Sequence, residues 1–187
     1  MALDLKRRRF TTDEYHQIAQ AGILGEDDRV ELIEGEIVEM TPIGARHAEC
    51  VDRLTDLFAR AFGDAARVRV QNPIVLGEHS ESQPDVALVR PKPGFYTSGH
   101  PTPGDVLLLV EVADSSVDPD RRVKVPLYVR SAIQEMWLVD LEQDTITIYR
   151  DPTPDGYRSA RVARRDDELA PIAFPDRALA VDDILPD

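Results

Sequence analysis

The chain has a single cysteine and no long apolar run, and each shortage excludes a class of protein. Its single cysteine, Cys50, rules out an intramolecular disulfide and a cysteine metal cluster. A reducing, cytoplasmic setting is therefore expected. The apolar runs are far too short to span a bilayer, and the first ten residues, MALDLKRRRF, lack the apolar segment of a signal peptide. We expect no membrane partner.

Positive charge is also scarce. Lys and Arg number 22 against 35 Asp and Glu, which gives a formal net charge of −13. Phosphate contacts from a basic face usually supply most of the affinity for nucleic acid. Any nucleic-acid contact by this chain must therefore use a local basic patch or a metal bridge. The candidate patches are Lys6 to Arg9, Arg67 with Arg69, Arg121-Arg122 with Lys124, and Arg158 to Arg165.

At 187 residues the chain is long enough to bury a core without disulfides, and we expect a single domain over residues 1–187. Its core is expected at about 44–140. An N-terminal helix and hairpin occupy 10–41: Thr11 and Glu14 form a capping box, and Val30-Glu31-Leu32-Ile33 precedes a turn at Glu34-Gly35. C-terminal strands occupy 141–187, with the tail Pro171 to Asp187 as edge structure.

Three short apolar runs predict the central strands: Val86–Val89, Val106–Val110 and Met136–Val139. Helices are predicted over Gly44 to Phe62, from an i, i+3, i+4 apolar stripe, and over Asp120 to Ala132. The fold class is therefore α/β (α+β), with a mixed central sheet flanked by helices and with C-terminal antiparallel strands.

Two polar segments are predicted to be loops. Gly77 to Gln83 is expected to be a polar connection that leads into Pro84-Asp85. Arg90 to Asp105 contains several prolines and glycines, and loops of that length are often functional. Tyr96 and His100 lie in this long loop and are expected to line the mouth of a cleft.

Two carboxylates lie at the edges of the central strands. Asp85 precedes the first run and Glu111 follows the second. Buried carboxylates need a compensating cation or hydrogen bonds, and two acids from adjacent strands form a plausible divalent-metal site. The alternative is that both are solvated strand ends. Glu31 could reach the same site from the hairpin, and His47, near the start of its helix, could face the interior or solvent.

The helix after Glu111 carries the remaining candidates. Asp120, Lys124 and Tyr128 follow at i, i+4 and i+8, which places them on one helical face. Pro126 weakens the prediction for Tyr128, because a proline inside a helix removes a backbone hydrogen bond and usually causes a kink.

Together these phrases resemble the PD-(D/E)XK nuclease superfamily, in the variant that moves the lysine to the following helix; Ala113 stands where a Glu-x-Lys triplet would have lysine. Within it the chain resembles the Uma family of restriction-endonuclease-like proteins over roughly Phe10 to Tyr149. The phrases that carry the resemblance are Glu31 to Ile37, His47, Pro84-Asp85-Val86, Glu111-Val112, Asp120 with Lys124 and Tyr128, and Glu135 to Asp140.

The resemblance implies a restriction-endonuclease-like fold and a metal-dependent endonuclease that hydrolyses DNA. Asp85, Glu111 and the backbone carbonyl of Val112 would hold Mg²⁺ or Mn²⁺, with Glu31 as a further acidic ligand. Lys124 would be the catalytic lysine, so the catalytic set is Asp85, Glu111 and Lys124. Asp120 would position Lys124, while His47 and Tyr128 would contact phosphate or support the metal ligands.

Two other functions stay open at this point. The acidic surface and the missing triplet lysine favour a catalytically silent binding or assembly module of the same fold. A hydrolase of a small phosphodiester is the third possibility, since an acidic protein is less unfavourable for a small substrate. A homodimer is expected by resemblance, because such nucleases usually cut two strands with two copies.

Overall fold

The computed structural model describes residues 7–25, 27–114 and 117–186, with the backbone alone at 117–120. Its elements run in this order: α1 (Thr12–Gln20), β1 (Val30–Ile33), β2 (Glu36–Glu39), α2 (Ala45–Phe62), β3 (Arg67–Val70), β4 (Ile74–Gly77), β5 (Ser80–Ser82), β6 (Val86–Val89), β7 (Val106–Ala113), α3 (Val117–Arg130), β8 (Glu135–Asp140), β9 (Thr145–Thr153), β10 (Gly156–Ala163), β11 (Glu168–Leu169), β12 (Leu179–Ala180) and α4 (Val181–Ile184).

The central sheet has six strands in the order β10-β9-β8-β7-β6-β3. The three apolar runs predicted to be central strands pair as neighbours in it, so the predicted mixed sheet is confirmed. Strands β7 and β8 are parallel and are joined by α3, whereas the other neighbouring pairs are antiparallel. A parallel pair needs such a crossover, because a tight hairpin can join only antiparallel strands.

Apolar side chains cover both faces of this sheet, which is why its inner strands have few polar positions. On one face, Phe58 of α2 packs edge-to-face on Trp137 of β8, with ring centroids 6.2 Å apart. On the other face, Leu127 of α3 packs with Leu109 and Leu138. The sheet therefore lies between α2 and α3. Among the described residues, no helix combines the length and apolar character needed to cross a membrane.

A second sheet, in the order β2-β1-β5-β4, joins the N-terminal hairpin to the segment before β6. The hairpin turns at Glu34 and Gly35, which both have positive φ, the geometry of a two-residue type I′ turn. A Cβ at Gly35 would lie 2.5 Å from the Cβ of Arg9, so a larger residue cannot fit there. The prediction of a hairpin at this position is correct.

Three sequence predictions need correction. Gly77 to Gln83 is not a loop, because it contains strand β5, whose buried residues are polar and so leave no apolar pattern. The tail is not mere edge structure, since Val181 and Ile184 are fully buried in the core. Helix α3 begins at Val117 rather than Asp120 and ends at Arg130 rather than Ala132, and it continues through Pro126.

Candidate active site

The candidate site lies where Asp85 leads into the start of β6, beside Glu111 near the end of β7. Strand β6 runs antiparallel to β7 with Val86 opposite Val110, and extending that register by one residue places Asp85 opposite Glu111. Directly opposite residues in an antiparallel pair share one face of the sheet. Both side chains are buried, and both line a cleft of about 310 Å³.

The cleft is formed by residues from the hairpin, the start of α2, the strand ends and α3. Its lining includes predicted residues from all of these elements: Glu31, His47, Asp85, Glu111, Val112 and Lys124. It also includes Arg29, Gln83 and Asp114, which sequence analysis did not single out. Tyr96 and His100 do not line it, so the prediction that they form its mouth is wrong. The long loop is instead tied to β4 by a 3.0 Å hydrogen bond from Val75 N to Pro101 O.

Helix α3 delivers Lys124 and Tyr128 to the same cluster despite Pro126. The ammonium of Lys124 forms an ion pair with Glu31 Oε2 and lies 3.7 Å from Glu111 Oε1. The Tyr128 hydroxyl, which is fully buried, donates to Glu111 Oε1. Lys124 and Tyr128 are four residues apart, so they occupy adjacent turns of one helical face. The side chain of Asp120 lies outside the described residues.

Ser82 links these groups, although the sequence analysis did not single it out. Its hydroxyl donates to Glu31 Oε1 at 3.0 Å, accepts from Lys124 at 3.3 Å, and lies 2.8 Å from the Tyr128 hydroxyl. Gln83 N donates to the same Glu31 oxygen at 2.6 Å. Glu31 is therefore held by hydrogen bonds on one oxygen and by an ion pair on the other. The position of Ser82 immediately before Gln83-Pro84-Asp85 is the signal that could have identified it.

Asp85 is fixed from three directions. Val112 N donates to its Oδ2 at 2.8 Å, and the His47 Nε2 lies 3.1 Å from its Oδ1. Gln71 Nε2 also donates to Oδ1, at 3.4 Å. The hydrogen bond with Asp85 raises the pKa of His47, which favours a protonated imidazole beside the carboxylate. His47 therefore faces the interior, one of the two orientations that the sequence left open.

The electrostatics of the cluster favour a bound cation. Burial raises the pKa of Glu111 to about 8, and the charges of Asp85 and Glu31 act in the same direction, against the lowering effect of Lys124. Burial together with the charge of Glu111 also raises the pKa of Tyr128, so that hydroxyl remains a donor. Both described contacts to Glu111 use Oε1, so a cation could bind Oε2 without displacing either of them. Oxygen donors of this kind suit Mg²⁺ or Mn²⁺, and the residues fit such an ion.

Comparison with known proteins gives a family and a fold. Residues 12–182 match the family model Uma2, described as "Putative restriction endonuclease". A crystal structure described as a putative nuclease belonging to DUF820, from Anabaena variabilis ATCC 29413, has a similar fold, with a TM-score of 0.71. That alignment has 17% sequence identity and covers 94% of this chain and 97% of the other. Among curated proteins, none matches the chain significantly.

Proposed function

Because the chain belongs to the Uma2 family, whose description is a putative restriction endonuclease, we propose that it is a metal-dependent endonuclease that hydrolyses DNA phosphodiester bonds. The observation that carries this proposal is the convergence of Asp85, Glu111 and Lys124 on one cleft. They come from two adjacent strands and a following helix, so the cluster depends on the whole fold. An isolated pair of solvated strand ends would not be buried as both carboxylates are.

We propose that Asp85, Glu111 and the carbonyl of Val112 hold Mg²⁺ or Mn²⁺. Such a cation would supply positive charge to a phosphodiester whose charge increases in the transition state. Glu31 is better suited to hold Lys124 than to bind the cation, because its Oε2 already forms an ion pair with that ammonium. The protein's own contribution is the orientation of these groups.

Lys124 acts in this proposal as a hydrogen-bond donor. Its Nζ forms an ion pair with Glu31 and lies 3.7 Å from Glu111 Oε1. A charged ammonium cannot accept a proton, but it can orient the attacking water and stabilise negative charge on the phosphate. Tyr128 positions Glu111, and His47 offers a positive charge beside Oδ1 of Asp85.

Contacts to the DNA backbone would come from outside the cleft. Arg67 and Arg69 lie on edge strand β3, shortly before Gln71. They are two residues apart, so their side chains share one face of the strand. Their guanidinium groups stack over Phe95 and Tyr96, at 4.7 and 5.6 Å from the ring centroids. Arginines held against aromatic rings suit contacts to phosphates and exposed bases. We further propose that two copies act together as a homodimer.

Replacement of Lys124 by alanine tests this function. With supercoiled plasmid and saturating Mg²⁺ or Mn²⁺, Lys124→Ala should reduce the nicking rate on the order of a hundredfold to a thousandfold, which is typical of a lost electrostatic contribution. Lys124→Arg should recover little of this activity, because the guanidinium fork has a different geometry. Metal affinity, measured by calorimetry on the same variants, should change far less than the rate.

The control is Arg60→Ala, since Arg60 is an exposed residue in the last turn of α2 and does not line the cleft. It should nick plasmid at the parent rate. An Lys124→Ala variant that is folded and equally active would refute the role of Lys124. A parent protein that binds the metal but cleaves neither plasmid nor bis(p-nitrophenyl) phosphate would identify a silent module, while turnover of the small diester alone would identify the third function.

A further inference from the structure

A second group of metal-ligand side chains lies outside the candidate active site. It consists of His16 of α1, Glu81 of β5 and His100 of the 90–105 loop, and one ligand atom from each lies within 4.8 Å of the others. His16 Nε2 is 2.8 Å from Glu81 Oε2. The rings of His16 and His100 meet edge-on, with centroids 6.1 Å apart. It is the one such cluster of three among the described residues.

The backbone holds these three side chains together from separate parts of the chain. Glu81 lies between β1 and β4, with Leu32 and Val75 as its cross-strand partners. Val75 N donates to the carbonyl of Pro101, which fixes the residue after His100 against the same sheet. Helix α1 is tied to the β4–β5 turn by a 2.8 Å hydrogen bond from Thr12 N to Glu78 O. Convergence therefore does not depend on flexible side chains alone.

We propose that His16, Glu81 and His100 form a binding site for a divalent transition metal, for which Zn²⁺ is the appropriate probe. Imidazole ligands favour zinc and its neighbours in the first transition row over Mg²⁺, which prefers oxygen alone. Three protein ligands leave a fourth position of tetrahedral Zn²⁺ for water. Ligand atoms around zinc lie about 2.0–2.1 Å from it, so the side chains need only small rotations to converge from their present separations.

The burial of Glu81 supports this assignment. Its side chain is 4% exposed, whereas His16 is 39% exposed, so the carboxylate is the interior ligand and the imidazoles cover it. A buried carboxylate is costly unless it is compensated, and a metal cation bound directly to it would supply that compensation. His100 is exposed, which leaves the site open to an ion from solvent.

The site is separate from the cleft but shares a strand with it. Successive side chains of a strand point to opposite faces. Ser82 points toward Glu31 and Tyr128 of the active-site cluster, so its neighbour Glu81 points away from them. A metal here would join α1, β5 and the long loop without contacting Asp85 or Glu111, and would stabilise the strand that supplies Ser82.

Zinc and cobalt binding to purified full-length protein tests the proposal. The parent should bind one equivalent of Co²⁺ with the intense visible absorption of a tetrahedral site, and Zn²⁺ should displace it. His100→Ala should weaken Zn²⁺ binding on the order of a hundredfold, and the same is expected of His16→Ala; even the loss of a supporting contact commonly costs 10- to 100-fold. Zn²⁺ should also raise the Tm of the parent but not that of His100→Ala.

His79→Ala is the matched control, because His79 is a nearby, partly exposed histidine whose Nδ1 is hydrogen-bonded to Phe10 O and not to this cluster. It should bind like the parent. His100→Ala removes an exposed loop side chain, so misfolding does not confuse the result. The proposal is overturned if the parent gives no tetrahedral Co²⁺ spectrum. It is equally overturned if His100→Ala keeps the spectrum and the parent affinity, since the metal would then be elsewhere.

Discussion

Glu111→Gln is predicted to remove a pH dependence from the stability of the metal-free protein. In the folded chain the pKa of Glu111 is raised from 4.5 to about 8, mainly by burial. Between those values the folded state holds a proton that the unfolded state has released. The free energy of unfolding should therefore fall as pH rises through this window, and it should level off above about pH 8.

The magnitude follows from the width of the window. Each pH unit in which the two states differ by one proton changes the free energy of unfolding by about 1.4 kcal/mol. Between pH 5 and pH 8 the parent should lose about 3 kcal/mol that the glutamine variant retains. Glutamine has nearly the same shape as glutamate, so its amide oxygen can still accept from Tyr128.

Urea titrations of parent and Glu111→Gln at intervals of half a pH unit, in the presence of a chelator, measure this difference. The comparison with Glu111→Gln is needed because His47 affects stability in the same direction. Its pKa is raised by Asp85, so the stability that it contributes is also lost as pH rises. His47 is common to both proteins and largely cancels. Glu78→Gln, at an exposed glutamate, should follow the parent. Parallel curves for parent and Glu111→Gln would refute the argument that burial opposes the ionisation of Glu111.

Two further predictions concern Tyr128 and the oligomeric state. Tyr128→Phe should lower the free energy of unfolding by about 2 kcal/mol, because the buried hydroxyl that it removes contacts both Glu111 and Ser82. Urea denaturation measures this loss, with Tyr157→Phe as the control, because the Tyr157 hydroxyl donates only to the backbone carbonyl of Ile133. Equal losses in the two variants would contradict a special role for the cluster. Sedimentation velocity at micromolar concentration should show a homodimer, and a monomer would count against cleavage by paired copies.

The sequence predicted the centre of the fold because the central strands are apolar on both faces. The runs Val86–Val89 and Met136–Val139 need no long-range information to be recognised as buried. The acids at their edges followed from the same pattern, since a carboxylate next to a buried run is unusual. The raised pKa of Glu111 has burial, rather than the charge of the partner acid, as its main cause.

Two kinds of feature were missed in the sequence. One is a strand whose buried residues are polar, and the other is contact between segments that lie far apart in the chain. Strand β5 is buried through hydrogen bonds of Ser82 and Glu81, so it has no apolar alternation to detect. His16 and Glu81 are 65 residues apart, and no periodicity relates a helix to a strand over that distance. The long loop was expected at the cleft, but a backbone hydrogen bond to β4 places its His100 beside α1 instead.

The acidity of the chain becomes consistent with a nuclease when the cleft is considered. Among the described residues, its lining contains five carboxyl side chains, namely Glu31, Glu39, Asp85, Glu111 and Asp114, against three basic side chains, Arg29, His47 and Lys124. A phosphodiester approaching that cleft without a metal would meet net repulsion. A divalent cation between Asp85 and Glu111 would offset much of it. In the proposed function the metal is therefore a condition for substrate binding as well as for the reaction, which is how so acidic a protein could act on DNA.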